Sequence, residues 1–134
     1  MNAHYLLDTC AWLDAFSAPE LLKPAIRKLI YSQGTIYLSS ISLLEVARKE
    51  AAGQLIFGMP LPDWFKLALP PQRVKVIDLT PEISFDATRL PAWTHKDPGD
   101  QIVVATARVY RLTLLTSDGK MLSYPHVQSL ASRK

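Results

Sequence analysis

The chain has 134 residues, 49% of them hydrophobic and 20% charged, which suits one domain, 1–134, with a proper core and no disordered stretch. Its apolar runs, such as 102–105, are far too short to cross a bilayer, and no basic leader precedes a long apolar stretch, so neither a membrane span nor a signal peptide is expected. The single cysteine, Cys10, excludes an internal disulfide and fits a reducing, cytoplasmic setting, while a net charge of +3 only weakly favours an anionic partner.

His4-Tyr5-Leu6-Leu7-Asp8 reads as a short buried strand that ends on a carboxylate. Residues 11–16 read as a short helix. From 21 to 31, Leu22, Ile26, Leu29 and Ile30 recur at helical spacing, and Gln33-Gly34 stops that helix. Residues 35–39 form a second strand. A helix follows from about Ser42, with Leu43, Val46 and Ala47 on one face, and stops near Gly53. Gly58, Pro60 and Pro62 make 54–63 an irregular connection. Residues 63–69 can form a short helix, ended by Pro70-Pro71, and 73–79 read as a strand. Pro81 opens a helix that buries Ile83, Ala87 and Leu90. Pro98 begins another, running to about Arg111, whose middle, Ile102-Val103-Val104-Ala105, is apolar nearly all round and therefore buried. Residues 112–116 are a strand, followed by Ser117-Asp118-Gly119, a short helix and a last strand near Val127. Alternating strands and helices predict an α/β fold, a parallel sheet covered by helices on both faces.

Four of the twelve acidic residues occupy telling places in that pattern. Asp8 closes the first strand, and Asp118 follows another. Glu45 is expected in the first turn of the helix after the second strand, and Asp100 in the first turn of the buried helix. In an open parallel sheet, the carboxyl ends of strands and the N-termini of the following helices share one edge, where ligands bind. The four acids therefore face a common edge. Carboxylates gathered there repel one another. Helix N-termini relieve part of this, and a hard divalent cation such as Mg²⁺ or Mn²⁺ relieves far more. Such a cluster suits phosphodiester hydrolysis, in which the cation activates water, positions the phosphate and stabilises the leaving oxygen.

Each acid also has a plain structural role. Ser42 and Glu45 have capping-box spacing, and Glu45 and Lys49 are spaced for a helix-surface ion pair. Asp97 suits the N-cap before Pro98, with Asp100 at the third helical position, and Asp118-Gly119 suits an ordinary turn. The case rests on the coincidence of all four, and Asp8 is the hardest to explain otherwise. His4, His95 and His126 are scattered and make no zinc-like spacing with Cys10, which reads as a packing residue rather than a nucleophile. Lys96, Lys120, Arg48 and Arg108 lie near the acids in sequence, where Lys96, Lys120 and Arg48 are candidate phosphate contacts, with solvated surface as the default. No Gly-rich phosphate loop or GxSxG elbow is present.

Leu6-Leu7-Asp8-Thr9 resembles the opening motif of PIN-domain nucleases, and residues 39–47 resemble their second acidic motif. His95-Lys96-Asp97-Pro98-Gly99-Asp100, running into Val104-Ala105-Thr106-Ala107, looks like the third, and Leu114-Leu115-Thr116-Ser117-Asp118 like the fourth. The resemblance spans roughly residues 5–127 and is nearest to VapC-like toxins of bacterial toxin–antitoxin pairs. It implies a three-layer αβα fold with a mostly parallel central sheet, and Mg²⁺- or Mn²⁺-dependent endoribonuclease activity. By position it makes Asp8, Glu45, Asp100 and Asp118 the catalytic, metal-binding quartet, with Thr9, Thr116 and Asp97 in support. It also implies a homodimer and a cognate, VapB-like antitoxin protein whose C-terminal segment blocks the pocket. The sequence departs from the family at Cys10, where Asn, Ser or His is usual, and at Gln101, where Arg is usual. The alternative is a catalytically silent PIN-like module that binds RNA or protein. A metal-independent ribonuclease using His95 is a third reading.

Overall fold

The structure is a computed structural model that describes residues 4–32 and 35–134. Five short strands make one sheet: β1 (Tyr5–Leu7), β2 (Ile36–Ser39), β3 (Val74–Ile77), β4 (Thr113–Thr116) and β5 (Ser129–Ala131). Their order is β3-β2-β1-β4-β5, and every pairing is parallel. Parallel neighbours need crossover connections. Helices α1 (Thr9–Ser17), α2 (Pro24–Ser32), α3 (Ser40–Ala51) and α4 (Leu61–Ala68) supply those between β1 and β3. Helices α5 (Pro81–Ala87) and α6 (Pro98–Tyr110) lie between β3 and β4, and α7 (Gly119–Leu122) precedes β5.

The chain runs outward through the sheet from β1 to β3, then returns past β1 to β4 and β5. Right-handed crossovers in opposite directions place their helices on opposite faces. Two cores result. Leu7, Leu38 and Leu115 meet Trp12, Val46 and Trp64 from α1, α3 and α4 on one face. Leu6 and Leu114 meet Ile83, Val103 and Val104 from α5 and α6 on the other. Successive strand residues point to opposite faces, so the Leu6-Leu7 and Leu114-Leu115 pairs each feed both cores. This is the expected three-layer α/β arrangement. In α6, five consecutive residues, from Val103 through Ala107, are buried, which matches the all-round apolar reading.

Local differences have local causes. The helix expected over 21–31 begins at Pro24, after a separate 3₁₀ turn at Pro19–Leu21. A proline has no N–H for the ladder and crowds the preceding turn, so it opens a helix rather than continuing one. The expected stop at Gln33-Gly34 lies outside the described residues. Helix α3 begins at Ser40, not Ser42, because Ser39 Oγ already accepts the Ile41 N–H at 3.3 Å. The Ser42–Glu45 capping box therefore does not form, and Glu45 sits in the second turn rather than the first. The last strand lies at Ser129–Ala131 rather than near Val127. Val127 instead packs, partly buried, against the α5–α6 core. No described helix is long and apolar enough to cross a membrane.

Candidate active site

The sheet changes direction between β1 and β4, and the strand ends at that switch point carry Asp8 and the segment leading to Asp118. A cleft of about 230 Å³ opens there, and its lining includes all four sequence-predicted acids, Asp8, Glu45, Asp100 and Asp118. Thr9, Asp97 and Lys120 line it too. Thr116 is fully buried beneath. Lys96, Arg48 and His95 are absent from the lining. Lys96 and Arg48 are exposed, and His95 packs edge-on to Trp93, with ring centroids 4.9 Å apart. Gln101, a departure from the family pattern, donates Nε2 to the His95 carbonyl at 3.2 Å and stays outside the cleft. A larger hollow of about 450 Å³ surrounds Arg108, Arg111 and His126, beside Leu112 and Gln128 before β4 and β5. It lies at the opposite edge of the sheet and has one carboxylate, Asp86, already paired with Arg108.

Asp8 is the buried centre of the cleft, only 5% exposed. It caps α1, with Oδ1 accepting the Ala11 N–H at 2.8 Å. Its other oxygen, Oδ2, accepts the Thr116 hydroxyl proton. Thr116 Oγ1 in turn accepts the Asp118 N–H at 3.0 Å, so one threonine ties the ends of the two central strands together. Burial pushes the Asp8 pKa from the usual 3.8 up to about 6; the hydrogen bonds oppose this, and the charges of Asp118 and Asp100 add to it.

Glu45 reaches the cleft from the second turn of α3. Thr9 donates to Glu45 Oε1 at 2.6 Å, and its Oγ1 lies 2.8 Å from Ser42 Oγ. Ser42 and Lys49 were missed as cleft partners, yet they lie three residues before and four after Glu45, on the same helix face. Lys49 lines the cleft, although no Glu45–Lys49 ion pair closes among the described residues. Burial raises the Glu45 pKa, Thr9 opposes it, and Asp97 and Asp100 repel the charge.

Asp97 is the N-cap of α6, its Oδ1 accepting the Gly99 N–H at 2.9 Å, and this fixes Asp100 in the first turn. Asp100 has its pKa raised by burial, against the pull of Lys120, whose Nζ lies 3.0 Å from Asp100 Oδ2 and 3.9 Å from Asp118 Oδ2. Asp118 caps α7 through the Lys120 N–H at 2.8 Å. Cys10 also lines the cleft, and burial raises its pKa, which favours the neutral thiol over the thiolate that nucleophilic attack needs.

Five carboxylates thus face two lysines across one cleft. Three of them, Asp8, Glu45 and Asp100, hold their protons more tightly than usual, chiefly because burial strips water from the charged form, with repulsion from neighbouring acids adding to it. Hard oxygen donors of this kind fit Mg²⁺ or Mn²⁺ by chemistry. Among the described residues, no three His, Cys, Asp or Glu side chains stand close enough to form a ready-made metal set.

No curated protein matches the chain. Solved structures match its fold over nearly the full length. VapBC2 of Rickettsia felis, solved bound to a promoter DNA fragment, has a chain 19% identical, with TM-score 0.71 over 96% of this chain and 98% of that one. FitAcB of Neisseria gonorrhoeae gives 18% identity and TM-score 0.67 over 95% and 96%. A toxin–antitoxin complex from Klebsiella pneumoniae gives 20% and 0.63, over 97% of each chain. The PIN domain matches residues 5–127. That match runs from the first strand to the segment before the last and takes in every acid of the cleft, and the chain belongs to the PIN domain family.

Proposed function

We propose that this protein is a metal-dependent endoribonuclease, the toxin of a toxin–antitoxin pair, that hydrolyses RNA phosphodiester bonds at the acidic cleft. The observation that carries the reading is the convergence of Asp8, Glu45, Asp100 and Asp118, distant in sequence, on one cleft at the switch point of a parallel sheet. These four residues would hold Mg²⁺ or Mn²⁺. When bound, the cation supplies positive charge against the phosphate and makes water a stronger nucleophile.

The chain's own groups do the positioning. Thr116 and the Ala11 N–H fix both oxygens of Asp8. Thr9 holds Glu45, and the Asp97 cap holds the helix turn that presents Asp100. Lys49 on the cleft wall offers a cation to the RNA backbone. Among the described residues no histidine lines the cleft, which favours the metal route over a histidine-driven one. Family membership and the toxin–antitoxin complex of like fold support a cognate antitoxin as partner, and the family resemblance supports a homodimer.

RNA cleavage tests the reading. Chelation with EDTA, Asp8→Asn or Asp100→Asn should each lower cleavage by more than about a hundredfold, the scale set by losing a charge-stabilising group. Undiminished cleavage by chelated protein or by either variant overturns it. The Lys120–Asp100 pair, which occupies one acid with a cation of the chain's own, favours a second reading, a silent RNA- or protein-binding module. That reading requires weak or absent Mn²⁺ binding, or binding without turnover on any RNA.

A further inference from the structure

Two lysines line the cleft, and they differ. Lys120 bridges two acids, with Nζ at 3.0 Å from Asp100 Oδ2 and 3.9 Å from Asp118 Oδ2. Among the described residues, Lys49 closes no ion pair. The two bridged acids come from different elements, the first turn of α6 and the cap of α7. Asp8 and Glu45 have hydroxyl partners instead of a cation. The Lys120 side chain remains 41% exposed. It is therefore a hydrated point charge on a flexible stem, able to leave its partners for water.

We propose that Lys120 is an internal counterion that competes with a divalent cation for Asp100 and Asp118, and so raises the cation concentration at which the cleft loads. This role rests on the metal-site reading above. The ammonium and a divalent ion need the same carboxylate oxygens and repel each other. Loading therefore evicts Lys120 from at least one acid. Because the pair is partly exposed, eviction costs little. Lys120 thus tunes affinity several-fold rather than closing the site. Once released, the ammonium stays at the cleft rim, where it can meet an RNA phosphate. The same lysine then serves as counterion in one state and phosphate contact in the other.

Calorimetric titration of Mn²⁺ into chelator-stripped protein without RNA tests this. The panel is wild type, Lys120→Gln, Lys120→Arg, Lys96→Gln and Asp8→Asn. Lys120→Gln should bind Mn²⁺ about fivefold more tightly than wild type, the scale of a partly exposed ion pair. Lys96→Gln removes the same charge outside the cleft and should change affinity by less than about twofold, because that charge is screened. Lys120→Arg should bind no more tightly than wild type. In EDTA, Lys120→Gln should melt below wild type, and Mn²⁺ should raise its Tm by more. A Lys120→Gln affinity no tighter than that of Lys96→Gln overturns the counterion role alone, provided binding still depends on Asp8. If wild type and Asp8→Asn take up Mn²⁺ equally, or not at all, the metal-site reading falls and the counterion role with it.

Discussion

At Gly99, the second residue of α6, the space a side chain needs is already taken. A Cβ there would lie 2.8 Å from Glu45 Oε2 and 3.2 Å from Asp97 Oδ1. Glycine at this position lets a carboxylate from α3 approach the backbone of α6. The Glu45 carboxylate is the far end of a flexible chain, so Gly99→Ala should push it aside rather than unfold the helix. In this first turn alanine gains less over glycine than the roughly 1 kcal/mol of a helix interior. Gly99→Ala should therefore leave the melting temperature near wild type, or slightly higher, while lowering Mn²⁺ affinity about tenfold, the effect of misplacing a supporting contact. Unchanged affinity would show that Glu45 does not need this approach. The sequence displays the Asp97-Pro98-Gly99-Asp100 motif, and its cap is legible from local chemistry. The need for a small residue is not, because the clashing carboxylate lies on another helix.

At the scale of elements, the cleft is made of helix beginnings. Asp8, Asp97 and Asp118 cap α1, α6 and α7 in turn, so the same carboxylates that build the helices also charge the cleft. Structural and functional readings of these acids are not rivals. An N-cap keeps one oxygen on the backbone and can turn the other outward. Another acid of α1, Asp14, has a different task. It is 4% exposed and receives Arg133 in a two-point pair, at 2.8 Å from Nε and 3.0 Å from Nη2. Backbone bonds from Lys23 N to Ser132 O and from Lys134 N to Leu21 O fasten the same C-terminal segment beside the turn after α1. Arg133→Gln strands a buried charge and should destabilise the fold by about 1–3 kcal/mol in urea denaturation. Asp14→Asn in the same chain should recover part of that loss. A stability equal to wild type would mean that water serves Asp14 as well as the guanidinium does. Nothing in the local sequence signals this pair, since its partners lie at opposite ends of the chain.

Over the whole molecule, the acidic cleft ties stability to pH. Folded Asp8 has a pKa of about 6 against the usual 3.8, so between these values the folded protein binds more protons than the unfolded chain. The contribution of Asp8 to the stability of metal-free protein then falls as pH rises through that window and levels off above about 6. Asp8→Asn keeps the cap, because asparagine also caps well, and removes the buried charge. Relative to wild type in EDTA, its unfolding free energy should improve by about 2 kcal/mol from about pH 4.5 to about pH 7.5. A difference that stays constant with pH would refute the burial cost assigned to Asp8.

The alternation of strand and helix, the apolar girth of α6 and the capping signals at Asp97 and Pro81 are short-range properties, and the sequence by itself determined them. So did the placement of acids after strands and in early helix turns, because one chain direction in a parallel sheet sends all such positions to one edge. Only the tertiary structure decided which neighbours each acid keeps: Thr116 beneath Asp8, Thr9 and Gly99 around Glu45, and Lys120 between Asp100 and Asp118. It also moved the start of α3 to Ser40 and left Lys96 and Arg48 outside the cleft. Contacts between residues tens of positions apart depend on how the layers pack, and no local pattern of side chains encodes that distance.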